Sequence, residues 1–293
     1  MLRTLYVGQT VQITTGPTGG ARTVAYLPVQ SASCEVTKPV EAVSAFGRLG
    51  SLALAQTNLT TCKSSVKTYL QSGALFTAGT NVTGITADLL STITGDAVNG
   101  FPTVINVFPN GFKMSGILTS LGIDMALGGF GTADFSFNGV GQPDFAYLTT
   151  NSTTEQASMP SSITPVTTTL VSGAINSLGC SNSFKFSLDM PTDTLACLGD
   201  VPDAPQVLMT SMIATKPPYK ANITLEGFGV DIANTGALNN TANYRNTSFS
   251  LGGLGIRLPN AIVSSKSFNN AVGTANASYN VTLEDTSATF GAG

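Results

Sequence analysis

Two stretches of this sequence occur twice, in the same order, and that repetition constrains the fold more than any other feature. GTADFSFN at 131–138 recurs as GTANASYN at 273–280, with five identities, the mild exchanges Asp134/Asn276 and Phe137/Tyr279, and one unlike pair, Phe135/Ala277. Upstream, PVEAVSAFG at 39–47 matches PTDTLACLG at 191–199 without a gap: Pro, acid, aliphatic, small, bulky apolar and Gly in turn. The two motifs lie 92 residues apart in the first copy and 82 in the second, a difference that surface loops absorb. The economical reading is a duplicated domain. The first copy spans 1–150, a Ser/Thr/Pro linker punctuated by Pro160 and Pro165 spans 151–165, and the second copy spans 166–293.

Periodicity says what kind of domain. Residues 115–124 and 133–140 carry apolar side chains at alternate places, so that Ala133, Phe135 and Phe137 share one strand face and Asp134, Ser136 and Asn138 the other. MALGGFG at 125–131 supplies the turn between them. Similar alternation runs through 33–37, 184–188 and 278–283, and 64–70 and 221–225 look like a further pair of equivalent strands. The expected fold is all-β with minor α: two tandem β-sandwiches or open barrels. The one good helical pattern is 85–94, where Ile85, Leu89 and Ile93 recur at helix spacing before Gly95.

Composition excludes several functions. Charged residues are only 10% of the chain, 13 basic against 16 acidic for a net charge of −3, and no Lys/Arg run offers a footprint for nucleic acid. Histidine is absent, which removes Ser-His-Asp and Cys-His catalysis and His-ligated metal sites; tryptophan is absent too. The Gly-rich segments 16–20, 128–131 and 251–255 lack the Lys-Ser/Thr of a phosphate-binding loop and read as turns. Cys34, Cys62, Cys180 and Cys197 have no metal-binding spacing and read as structural thiols, a Cys34–Cys62 bridge being open only if their strands are neighbours. Paired carboxylates, Asp124 with Asp134 or Glu226 with Asp231, are the only catalytic option, and a solvated charged rim explains them as well. No catalytic, cofactor or metal residue is therefore assigned.

The amino-terminal segment has no apolar run before Gln9 and Thr10, so a secretory signal is not expected, and no window approaches the ~18 apolar residues of a membrane span. The sequons at Asn58, Asn81, Asn151, Asn222, Asn239, Asn246, Asn276 and Asn280 follow from a chain rich in Asn, Ser and Thr. Residues 2–20 and the linker are candidates for arms reaching a neighbouring molecule, against the alternative of local packing.

PVQSASCEVTKPVEAVSAFGRLG at 28–50, TCKSSVKTYL at 61–70 and PNGFKMSGILTSLG at 109–122 resemble, in cadence, the major tail-tube proteins of tailed bacteriophages, a likeness covering about the first 145 residues. The resemblance implies a β-sandwich flanked by a helix, whose sheets join those of neighbouring subunits into a barrel lining a DNA conduit. A chain with two such domains is expected to make the ring from three copies with pseudo-sixfold symmetry. Its partners would be itself and other tail proteins, its place the virion tail, and the lumen would pass DNA without gripping it. The polar residues Asp134, Ser136 and Asn138, with Asn276, Ser278 and Asn280, are expected at equivalent places in that ring. Another virion component (terminator, hub or decoration protein) and a secreted β-rich adhesin or carbohydrate-binding protein are the alternatives.

Overall fold

A computed structural model of the chain describes residues 10–15, 23–27, 29–44, 46–47, 50, 53–70, 103–108, 111–145, 171–173, 180–194, 213–215, 219–228, 247–251, 254–269 and 278–292. These residues are all-β, as the alternation predicts. The helix expected at 85–94 and the linker at 151–165 lie outside them.

The strands of the amino-terminal half are β1 (Thr10–Thr15), β2 (Thr23–Leu27), β3 (Val29–Thr37), β4 (Val40–Val43), β5 (Ala53–Gln56), β6 (Thr61–Tyr69), β7 (Thr103–Phe108), β8 (Lys113–Ala126) and β9 (Thr132–Val140). Those of the carboxy-terminal half are β10 (Val171–Gly173), β11 (Cys180–Asp189), β12 (Thr192–Thr194), β13 (Ile213–Thr215), β14 (Lys220–Phe228), β15 (Thr247–Leu251), β16 (Leu254–Leu258), β17 (Ile262–Asn269), β18 (Ser278–Asp285) and β19 (Thr289–Ala292). The β8–β9 turn falls within 125–131 as expected, at 127–131 once Met125 and Ala126 have closed β8, with Gly128 at φ 79°, a conformation that glycine adopts without strain.

The principal sheet runs β3-β6-β9-β8-β11-β14-β18-β17, antiparallel throughout. Its apolar face is built by strict period-two burial: Val66 on β6, Ala133, Phe135 and Phe137 on β9, Phe184, Phe186 and Leu188 on β11, and Val281 and Leu283 on β18 are all sealed from solvent. Two smaller ladders cover that face. One is β2-β1-β7, joined to the start of β8, and contributes Val11 and Ile13; the other is β10-β15-β16-β19 and contributes Phe249, Leu251, Ile256 and Leu258 to the same core. The Phe184 and Phe249 rings meet at 5.3 Å between centroids, and Phe186 and Phe290 at 6.0 Å, so the second ladder is stapled onto β11 by aromatic contacts. Of the two alternatives for residues 2–20, an arm or local packing, the described residues 10–15 take the second: they are a strand of the body, with Val11 and Ile13 in the core.

The β3·β6 ladder coincides residue for residue with β11·β14. Ala32 faces Val66 as Phe184 faces Leu225, Cys34 faces Ser64 as Phe186 faces Ile223, and Val36 faces Cys62 as Leu188 faces Ala221. The register slips at the same point in both, between Val29 and Ser31 and between Ser181 and Ser183. The β8·β9 ladder coincides with β17·β18 in the same way, down to a slip between Leu118 and Ser120 that recurs between Val263 and Ser265. The hairpins agree too, Val40 facing Gln56 as Thr192 faces Thr215. A bulge costs a ladder rung and is positionally specific, so two shared bulges are a far stronger sign of equivalence than matching strand order.

The registers assign equivalences that differ in part from the sequence match. Pro39 and Pro191 hold the relative positions that their motifs suggested, because β3 and β11 correspond at that offset. On β9 and β18 the offset differs: Phe135 faces Val66 while Val281 faces Leu225, so Phe135 corresponds to Val281 and not to Ala277. The ladder equivalence is thus four residues away from the 131–138/273–280 match. Four is an even number, so the shift keeps every side chain on its face while changing its neighbours.

The halves differ where each meets its covering ladder. In the first, β8 is one strand of 14 residues that pairs β7 near its start and β9 further on. In the second, the same path is broken into β16 and β17 by a turn at Pro259 and Asn260. Gly116 lets the unbroken strand pass: a Cβ there would lie 2.6 Å from the Asn138 carbonyl oxygen.

Candidate functional site: the polar face of the long sheet

The face of the principal sheet opposite the core carries the residues that alternation leaves over. From β3 to β8 it presents Ser33 and Glu35, then Lys63, Ser65 and Lys67, then Asp134, Ser136 and Asn138, and then Ser120, Gly122 and Asp124. Beyond the β8·β11 seam it continues with Lys185, Ser187 and Asp189, with Asn222, Thr224 and Glu226, with Asn280, Thr282 and Glu284, and ends on Ser265 and Ser267.

Its charges are arranged in opposition. Glu35 lies directly across from Lys63, Lys67 from Asp134, Asp124 from Lys185, and Asp189 from Lys220. Lys220 Nζ also reaches Glu284 Oε2 at 2.8 Å, and the hydrogen bond from this ammonium group holds the Glu284 carboxyl below the usual carboxylate range. Directly opposed unlike charges each stabilise a sheet by a few tenths of a kcal/mol and cancel one another's field. Acids exceed lysines here through Glu284 and through Glu226, whose Oε1 accepts a hydrogen bond from Asn280 Nδ2 at 2.9 Å. The surface is therefore dense in hydrogen-bonding groups, mildly acidic, and without a concentrated positive potential.

Gly122 makes a shallow trough in this face, bordered by Lys67, Asp124, Asp134, Lys185 and Asn222. Asp124 and Asp134, one of the two carboxylate pairs weighed as a catalytic option, are thereby brought to the same face of neighbouring strands, diagonal to each other, with a lysine directly opposite each. Ser65 Oγ donates to Asp134 Oδ1 at 3.1 Å. Of the second pair, Glu226 is on the polar face of β14 and Asp231 lies outside the described residues. Ser278 and Asn280 share the polar face with Asp134, Ser136 and Asn138; by register Asp134 corresponds to Asn280 and Ser136 to Thr282. Asn276 lies outside the described residues.

The cysteines on β3 and β6 are near neighbours but not partners. Cys34 faces Ser64 and Cys62 faces Val36, and neither is bonded in a disulfide. Burial pushes the Cys34 thiol up to about 11. Cys180 is the first residue of β11, and Cys197 lies outside the described residues. Among the described residues no cluster of three or more His, Cys, Asp or Glu is placed to hold a metal ion.

Two further features frame the site. Among the described residues the sheet ends on β3 and β17, each paired on one side only. The β4·β5 hairpin stands off the body with Val40, Val43 and Leu54 exposed, and Phe46 fully exposed at its turn. Sequence reasoning missed the opposed charges and the apolar hairpin, because both need the register to be recognised. No protein-family model matches the chain, and no curated protein matches it.

Proposed function

We propose that the chain is a structural virion protein, a tail-tube subunit of a tailed bacteriophage, with a duplicated tail-tube-like domain and copies that assemble into stacked rings around a DNA conduit. The observation that carries this reading is the ladder repeat: two four-stranded units with matching registers, already fused edge to edge through β8·β11 into one sheet with a single polar face. A chain that joins two equivalent units this way presents the same two kinds of edge at its ends, β17 and β3, and head-to-tail joining of such edges propagates into a ring.

The dimensions suit the role. Three chains of eight principal strands give a barrel of about 24 strands, and at ~4.8 Å between strands its backbone diameter is about 37 Å before tilt widens it. With the polar face inward, such a lumen admits a DNA duplex and meets it with opposed charges and hydroxyls. An interior of that kind forms few lasting phosphate contacts, which is what transit through a conduit requires.

Light scattering on the purified protein at rising concentration tests the reading. Growth in multiples of three 30.0 kDa chains, into hollow particles, supports it. A particle that stays at one chain at high concentration overturns it.

A further inference from the structure

We propose that copies of this chain join by pairing the β17 edge of one with the β3 edge of the next, in the register of the internal β8·β11 seam. The inference rests on the reading of the chain as a self-assembling subunit, and it adds which edges meet and in what alignment.

The strands concerned are equivalent by register, β17 corresponding to β8 and β3 to β11. Inside the chain, β8 and β11 meet with Ser120 facing Asp189, Gly122 facing Ser187 and Asp124 facing Lys185. Transferring that seam to the open edges places Ser265 opposite Thr37, Ser267 opposite Glu35 and Asn269 opposite Ser33. Each pair is polar and on the polar face, so the join would carry the face across the boundary without a break. The seam also has a rung beyond its end, where Met190 N donates to the Thr119 carbonyl at 2.8 Å. The counterpart is the Lys38 amide of one copy donating to the Ser264 carbonyl of its neighbour.

Burial points the same way. Phe184, Phe186 and Leu188 of β11 are 3%, 2% and 0% exposed beneath the seam, whereas their counterparts Ala32, Cys34 and Val36 on β3 are only half-buried. The β3 residues show the partial exposure of a core row with one side uncovered. The hairpins follow suit: β12 is tied to the first unit by a hydrogen bond from Asn138 Nδ2 to Thr192 Oγ1, 3.2 Å, while its counterpart β4 is exposed along its length. A neighbouring copy docked by the seam rule would stand beside β4·β5 and cover one of its faces, such as the one that Val40 and Leu54 share. Apolar side chains exposed on a hairpin in this way are what an assembly interface leaves uncovered in the single chain.

The test is disulfide trapping with Glu35→Cys and Ser267→Cys placed in one chain, both positions being exposed and on the polar face. Mild oxidation should convert most of the assembled protein into covalently linked oligomers on a non-reducing gel, while either single substitution stays at the wild-type background. Glu35→Cys combined with Lys266→Cys, one residue out of register and on the opposite face, should not link. Ser33→Cys with Asn269→Cys, two residues along, should link as the first pair does. Rings or tubes that form without linking through either in-register pair overturn the inference and leave the tube reading standing. Single chains that neither assemble nor link at high concentration overturn both. Linking accompanied by solid or open filaments upholds the edge pairing and overturns the conduit. Linking of Glu35→Cys alone, which requires two β3 edges to meet, overturns the head-to-tail register.

Discussion

Thr119 and Ser264 occupy the same bulge in two ladders separated by 145 residues of sequence. Each hydroxyl donates across the slip to the backbone of the adjoining strand: Thr119 Oγ1 to the Ser136 carbonyl at 3.2 Å, and Ser264 Oγ to the Thr282 carbonyl at 3.4 Å. Ser136 and Thr282 are themselves equivalent by register. A bulge leaves one residue out of the ladder, and a side chain that bonds back across the gap holds it in place. Such agreement in an irregularity is what makes the two halves equivalent in detail and not merely alike in being sheets.

Asp285 fixes a turn by which the halves diverge. Buried at 4% exposure, its Oδ2 accepts from the Asn260 amide at 2.7 Å and its Oδ1 from the Ser287 amide and hydroxyl, each at 2.6 Å. It thus ties the β16–β17 turn to the end of β18. Asp285→Ala strands these donors and should cost about 2–3 kcal/mol in urea unfolding. A loss below about 0.5 kcal/mol would show that the turn holds without it.

Tyr219 predicts a limit to stability in alkali. Its hydroxyl donates to the Ala288 carbonyl at 2.8 Å, and burial, with the nearby Asp285 charge, raises the phenol above its ordinary value of 10.0. The unfolded chain therefore releases this proton first. Its contribution to stability is complete below about pH 10 and falls as pH rises beyond that, until the folded phenol titrates as well. Tyr219→Phe should lose about 1 kcal/mol at neutral pH and flatten the alkaline decline. An unchanged decline in the variant would assign it to other groups.

The Cys34 and Cys62 thiols should resist modification. With Cys34 pushed up to about 11 and Cys62 buried, the thiolate is scarce at about pH 8. A thiol reagent such as Ellman's should react with both at least about tenfold faster in urea than in the folded protein. Equal rates in the two conditions would mean that the β3 edge opens readily.

On the proposed edge pairing, Lys266 restrains assembly. It takes the register position of Leu121, which is 1% exposed in the core, yet Lys266 is exposed on β17. A charge on the core side of an edge strand discourages indiscriminate pairing. Lys266→Leu should lower the protein concentration needed for assembly by about tenfold, the equivalent of ~1.4 kcal/mol. Unchanged assembly, measured by sedimentation, would place the controlling contacts elsewhere.

Much of the fold was legible in the sequence because alternation is a local signal. Ala133, Phe135 and Phe137 announce the buried face of β9, and the strands at 33–37, 64–70, 184–188, 221–225 and 278–283 all belong to the principal sheet. The correspondence of β6 with β14 was legible for the same reason. The pairing of Phe135 with Ala277 misled, since a Gly/Ala/Ser-rich chain supplies close matches four residues from the ladder equivalence, where face parity is unchanged. The opposition of Lys67 to Asp134, or of Asp124 to Lys185, was not legible at all. It joins residues far apart in the sequence, which only the register brings together.

The most direct measurement is the rotational symmetry of end-on views of the assembled protein by electron microscopy. The predicted result is a hollow ring of three chains with six nearly equal lobes, one for each four-stranded unit. Dispersed single chains at high concentration, or a twofold particle without a lumen, would contradict it.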